Sequence, residues 1–150
     1  MAITVNDIEY SWGDITLRQG GTEITGFKAV SYADAVEREA VYGAGRHKLG
    51  MTRGKYTTEQ GSLTCYLKQE REIIAARGDG WADGDPFELE VRYAAPGQDT
   101  HVDIVEGCRW AGTGGGGEEG SSPLEREMKF DFMRIKRDGV YLVADRKSVV

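Results

Sequence analysis

The residues able to do chemistry concentrate in three places. The first is Tyr42 to Lys55, where Gly43, Gly45, Gly50 and Gly54 are interleaved with Arg46, His47, Lys48, Arg53 and Lys55. Glycine-rich loops carrying basic residues can wrap phosphates through their backbone N–H groups. Here the pattern GxxxxGK followed by Ser or Thr is absent, and Thr57 to Leu67 alternates as a strand where a phosphate loop would open a helix. Nucleotide binding is therefore set aside. The second place is the run from Asp79 to Asp85, with carboxylates at Asp79, Asp83 and Asp85. An EF-hand needs acidic or amide residues at alternate positions before its glycine. That spacing is not met, and the run reads as a solvated turn. The third comprises His47, His101, Cys65 and Cys108. Neither histidine has a companion at metal-ligand spacing. Each cysteine sits alone in an alternating apolar run, which fits a buried free thiol better than a disulfide or a catalytic thiol. Arg77-Gly78-Asp79 spells an adhesion tripeptide that is most simply chance at a helix end. A small enzyme or ligand-binding β-barrel would have to use Asp79, Asp83, Asp85 or His101, and nothing orders them into a nucleophile, base and orienting group. No catalytic, cofactor-binding or metal site is expected.

The elements that must position these residues follow from composition. A chain of 150 residues fits one domain, spanning 1–150. Its 39% hydrophobic and 29% charged residues are those of a globular protein, and 21 glycines are about twice the usual ~7%. With only three prolines and short alternating runs, that glycine content suits a β-rich domain. The net charge of −6 repels phosphate backbones. It excludes a DNA-gripping role and suits a surface past which DNA slides without sticking. The N-terminus lacks a basic region followed by an apolar run, and no stretch approaches a membrane span, so the chain is expected to be cytoplasmic when made.

In chain order, Ile3 to Leu17 alternates with breaks at Asn6-Asp7 and Gly13-Asp14, giving one or two short strands; Gln19 to Thr22 is a hairpin turn. Tyr32 to Tyr42 has good helix formers but also fits a period of two and lacks a helix cap; it is assigned as strand. Lys68 to Arg77 is the best helix, with Ile73 and Ile74 on one side, charge on the other, and Gly78 to stop it. Phe87 to Tyr93 is the clearest strand, with Phe87, Leu89, Val91 and Tyr93 inward and Glu88, Glu90 and Arg92 outward. In His101 to Trp110, Val102, Ile104, Cys108 and Trp110 are taken as in phase, with Glu106 out of character. Gly112 to Gly120, with Glu118 and Glu119, is a low-complexity loop tip. Leu124 to Ile135 buries Met128, Phe130 and Phe132 and exposes Glu125, Glu127, Lys129 and Asp131; Tyr141 to Val143 forms a last strand before a basic tail.

Several segments together resemble the tail tube protein of a tailed bacteriophage, of the contractile type. They are Phe27-Lys28-Ala29-Val30-Ser31-Tyr32 with acidic residues behind it, Val41-Tyr42-Gly43, and Gly50 to Tyr56. The short helix, the strand from Pro86 to Tyr93, Gly107-Cys108-Arg109, the loop before Leu124 and Ile135 to Gly139 follow in order. The resemblance covers residues 24–140, and the long glycine run at Gly112 to Gly120 departs from it. It implies a mainly β fold, a sandwich or barrel with one flanking helix and a long extended loop, shared with the tube protein of type VI secretion. It further implies hexameric rings that stack into a tube, located in the virion tail after assembly in the host cytoplasm. The implied partners are sheath, baseplate or initiator, tape-measure and terminator proteins, with DNA passing through the lumen. On this reading Tyr42, Gly43, Arg46, His47, Lys48, Arg53, Lys55 and Tyr56 belong to an arm reaching a neighbouring ring or subunit. Either Glu88 and Glu90 or Glu125, Glu127 and Asp131 line the lumen. A type VI secretion tube or an extracellular contractile injection tube fits the same residues.

Overall fold

The computed structural model describes residues 10–117 and 119–143. The expected strand residues Ile3, Val5 and Ile8, together with Glu118 and the basic tail, lie outside them. After a 3-10 turn at Trp12–Asp14 come β1 (Ile15–Gln19), β2 (Thr22–Ile24), β3 (Phe27–Glu37), β4 (Ala40–Tyr42), β5 (Lys48–Met51) and β6 (Lys55–Tyr66). Helix α1 (Leu67–Arg77) is followed by β7 (Phe87–Tyr93), β8 (His101–Thr113), β9 (Glu125–Asp131), β10 (Arg134–Arg137) and β11 (Val140–Tyr141).

All pairings are antiparallel and run in the order β2-β1-β7-β8-β9-β6-β3, with β10 on the first half of β8 and β11 on β10. Strand β8 turns this path into a two-layer sandwich. Residues up to Cys108 pair with β7, and from Arg109 onward they pair with β9. The corner is made by Gly107, whose φ of 69° is one a side chain rarely adopts, and a Cβ there would collide with Met133 at 2.6 Å. Between Leu89↔Val105 and Phe87↔Cys108, β8 spends one residue more than β7. This bulge corrects the expected phase of the strand. Val105, not Val102 or Ile104, is buried with Cys108 and Trp110. Glu106 is in place on the outer face, accepting hydrogen bonds from Tyr141 Oη at 2.9 Å and from Arg134 Nε.

The core between the layers joins Leu17, Leu89, Val91, Val105 and Ile135 of one sheet to Leu63, Cys65, Met128 and Phe130 of the other. Phe130 packs edge-on to Trp110 with ring centroids 6.0 Å apart. A polar tie closes one end of the core. Tyr32 Oη donates to Asp103 Oδ2 at 2.5 Å and lies 2.8 Å from Tyr93 Oη. Burial, then hydrogen bonding to Asp103, pushes the Tyr32 hydroxyl far above the usual phenol range.

Helix α1 starts one residue before the expected Lys68 and ends at Arg77, with Gly78 at φ 77°. Ile73 is buried as expected. The assignment of charge to the outer side fails at Glu70, which is only 1% exposed. Its carboxylate accepts from Thr113 Oγ1 at 2.5 Å and faces Arg71 Nε at 3.4 Å, so the burial is compensated. The strand at Tyr32 to Tyr42 is observed, interrupted at Arg38-Glu39 between β3 and β4.

Candidate assembly interface

The arm is a β-hairpin. Strands β4 and β5 pair through Ala40↔Met51, Val41↔Gly50 and Tyr42↔Lys48, forming a two-stranded sheet separate from the sandwich. The resemblance implied a long extended loop here. Backbone pairing supplies the regularity instead, closed at the base by Thr52 N–H donating to Glu39 O at 2.9 Å and Glu39 N–H to Thr52 Oγ1 at 3.0 Å. The exit is fixed by Gly54, at φ 95°, where a Cβ would lie 2.6 Å from Glu37 O. Beyond Ala40, every residue through Lys55 is exposed, and Leu49, Tyr42 and Met51 are 74%, 58% and 57% accessible. Arg46, His47, Lys48, Arg53 and Lys55 therefore stand in solvent. Tyr56 does not. It is half-buried at the head of β6 and donates from Oη to Asp34 Oδ2 at 2.7 Å, while Asp34 Oδ1 meets Arg137 Nη1 at 3.2 Å. Burial, then the hydrogen bond to Asp34, pushes the Tyr56 hydroxyl up to about 12.

The two lumen candidate sets fall on opposite faces of the sandwich. Glu125, Glu127 and Asp131 point away from the core on β9, beside Ser62, Thr64 and Gln60 of β6, and Gln60 Nε2 donates to Asp131 at 3.2 Å. Beyond them on β3 lie Ala29 and Ser31, with Ser31 Oγ 2.9 Å from Ser62 Oγ. Lys28 Nζ sits 2.6 Å from Glu125, which raises the lysine pKa through a hydrogen bond and charge attraction. This face is broad and carries small or polar groups. Glu88 and Glu90 belong to the outer face of the other layer, where Arg92 Nη2 meets Glu90 at 2.9 Å.

The layer bearing Glu125 also has two open edges. Among the described residues β3 pairs only with β6, and β8 from Arg109 onward pairs only with β9. Each leaves a row of backbone N–H and C=O groups without a strand partner, a template for another chain. The first layer ends differently, in the short strands β2 and β11.

The residues considered for chemistry are not gathered. His101 Nδ1 pairs with Asp138 Oδ2 at 2.7 Å. That contact and the Val102 N–H bond lower the Asp138 pKa, the backbone bond being the larger cause. Asp79, Asp83 and Asp85 lie in an exposed turn, and no three His, Cys, Asp or Glu side chains among the described residues form a metal-binding group. Cys65 and Cys108 are free and buried. Burial pushes their thiols up to about 11 and about 12. Among the described residues no helix is long and apolar enough to cross a membrane. The exposed apolar residues of the hairpin were missed by the sequence reading, though Val41, Tyr42, Leu49 and Met51 among basic neighbours were there to be seen.

No protein-family model matches the sequence, and no curated protein matches it either. Solved structures do match in fold. The chain superposes on a subunit from the sheath/tube terminator of the extracellular contractile injection system PVC, in its extended state. The TM-score is 0.69 at 8% identity, covering 89% of this chain and 99% of that one. For the PVC sheath-tube complex in the extended state the TM-score is 0.67 at 10% identity, with 93% and 100% covered. Hcp1 from Flavobacterium johnsoniae gives 0.57 at 13% identity, with 87% and 98% covered. The chain has the fold of contractile-machine tube proteins, as its sequence resemblance implies.

Proposed function

We propose that this protein is the tube subunit of a contractile tail, assembling into hexameric rings that stack into a channel for DNA ejection. The observation that carries the reading is the pair of open edges on one layer of a fold shared with a sheath-tube complex. Joining β3 of one subunit to the Arg109–Thr113 half of β8 in the next closes the layer into a barrel and removes both edges. In that ring the continuous layer faces inward, so Glu125, Glu127 and Asp131 line the channel and Glu88 and Glu90 stay outside. The partners are sheath, baseplate, tape-measure and terminator proteins. The same geometry serves a tube that delivers protein from an injection or secretion system, and the contents of the channel separate these forms.

The test is negative-stain electron microscopy of the purified protein across concentration, with light scattering for mass. Rings stacked into tubes are expected. Single rings that never stack would mark a terminator, the role named for one similar structure. A monomer that persists even with a tail initiator complex, or that holds a stoichiometric small ligand, would overturn the reading.

A further inference from the structure

Strand β9 supports only half of β6. Its pairs run from Gly61↔Phe130 to Tyr66↔Glu125, so from Glu59 back to Lys55 strand β6 has β3 on one side and, among the described residues, no strand on the other. Where residues 33–37 pair with residues 55–59, the layer is therefore a two-stranded ribbon, and such a ribbon alone is marginal in water.

The junction is built to bend. Between Ser31↔Ser62 and Ala33↔Glu59, β6 advances one residue more than β3, and a bulge of this kind interrupts the ladder and kinks the strand. Gly61 stands in it, at a place where a Cβ would lie 2.4 Å from the Phe130 ring and 3.0 Å from Ser31 O.

What ties the ribbon to the rest of the sandwich is polar. On the near side of the bulge Leu63 and Cys65 join the apolar core. Beyond it Thr58 Oγ1 donates to Phe132 O at 3.3 Å. The Asp34 carboxylate, only 3% exposed, accepts from Tyr56 Oη at 2.7 Å and from Arg137 Nη1 of β10 at 3.2 Å. A carboxylate withdrawn from water needs those donors to stay there.

We infer that the ribbon is a flap hinged at the Gly61 bulge and that Asp34 is its latch, a positioning residue that acts through Tyr56 and Arg137 to hold residues 33–37 in line with the rest of the layer. A segment with few buried apolar contacts opens at a lower cost than global unfolding. The flap thus leaves the body before the core opens, and once free it frays. This motion belongs to the single subunit. Its consequence for the ring rests on the tube reading, because an unlatched flap withdraws the far half of β3 from the neighbouring subunit.

Hydrogen exchange on the full chain, kept dilute enough to be monomeric, tests the latch. In Asp34→Asn and in Arg137→Gln the amides of residues 33–37 and 55–59 should exchange roughly tenfold faster or more, while those around Leu63, Leu89 and Val105 stay unchanged. Arg137→Lys, which keeps the charge, should recover most of the protection. The double change Asp34→Asn with Arg137→Gln should be no worse than the stronger single one, since both remove one contact. Arg137 is 45% exposed, so its variants keep the test open should Asp34→Asn fail to fold. Thr58→Cys gives a second reading, because Cys65 and Cys108 are buried, and its labelling by a maleimide should quicken in the latch variants. Core amides that accelerate as much as the ribbon would mean the opening is global, and an unchanged ribbon would mean Asp34 latches nothing. Either result overturns the flap. Assembly separates this from the tube reading. Latch variants should need roughly tenfold more protein than the native chain to form rings. Variants that open the ribbon yet form rings as readily as the native chain would overturn the latch's part in the ring. A native chain that never assembles by light scattering would overturn the tube reading while the exchange result still decides the latch.

Discussion

The inner face of the sandwich and the β4–β5 hairpin are both built from paired antiparallel strands, yet they end in opposite states. In the sandwich Leu17, Leu63, Leu89 and Phe130 are fully buried. In the hairpin Val41, Tyr42, Leu49 and Met51 are all exposed, although its two strands are also paired, with one register shift between Val41 and Tyr42. The difference lies in what faces them. Two sheets cover each other in the body, while among the described residues the arm beyond Ala40 is left exposed. Apolar area removed from water stabilises by roughly 25 cal/mol per Å² wherever the cover comes from. The body therefore completes itself, and under the proposed function the arm is completed by assembly.

The contrast is broken most severely from the body's side. Phe130→Ala removes a ring packed against Trp110 and Phe132 and should lower subunit stability by about 3–5 kcal/mol in urea unfolding. Leu49→Ala, at a 74% exposed position, should shift the same curve by no more than ~0.5 kcal/mol while weakening tube formation. Next comes the hinge. Gly54→Ala forces a side chain onto φ 95° and against Glu37 O, costing about 1–3 kcal/mol. It should re-aim the hairpin, so that stacking is lost at temperatures where circular dichroism still shows a folded body. Replacing Arg46, Lys48, Arg53 and Lys55 with Glu should leave the unfolding midpoint nearly unchanged and abolish stacking in microscopy. Long tubes from that variant would show that the arm is not the stacking element.

The smallest effect is alkaline. The Cys108 thiol is held at about 12 against an ordinary 9.0, and the Tyr56 hydroxyl at about 12 against 10.0. Both folded-state values are raised, so their neutral forms favour the fold. That contribution is whole below pH 9, begins to fall as the unfolded thiol ionises, and is lost by the time pH passes 12. Urea midpoints of the monomer should decline over that window, and Cys108→Ala should flatten the early part of the decline. Hairpin variants should leave its slope unchanged.

Much of the body was legible because its cues are local. Phe87 to Tyr93 and Glu125 to Asp131 alternate cleanly, and the glycines of Gln19 to Thr22 and Gly78 stand where turns and a helix stop require them. What was not legible depends on partners distant in sequence. Whether β8 exposes Ile104 or Val105 is decided at Gly107, where the chain changes sheets, and a period of two read through a bulge is wrong on one side of it. Glu70 is buried because Thr113, 43 residues away, reaches its carboxylate. The hairpin pairing hid behind its glycines. The separation of Glu88 and Glu90 from Glu125, Glu127 and Asp131 onto opposite faces needed the order of strands, which no single segment contains.

The most direct measurement is hydrogen–deuterium exchange, read by mass spectrometry, on the monomer and on the assembled protein. In the monomer, amides of Ala40–Tyr42, Lys48–Met51 and the open side of β3 should exchange rapidly while those around Leu63, Leu89 and Val105 are protected. On assembly the hairpin and the β3 edge should become protected and the core should not change. Assemblies in which the hairpin and the β3 edge still exchange as fast as in the monomer would contradict the account, because neither unfinished surface would then have found its cover.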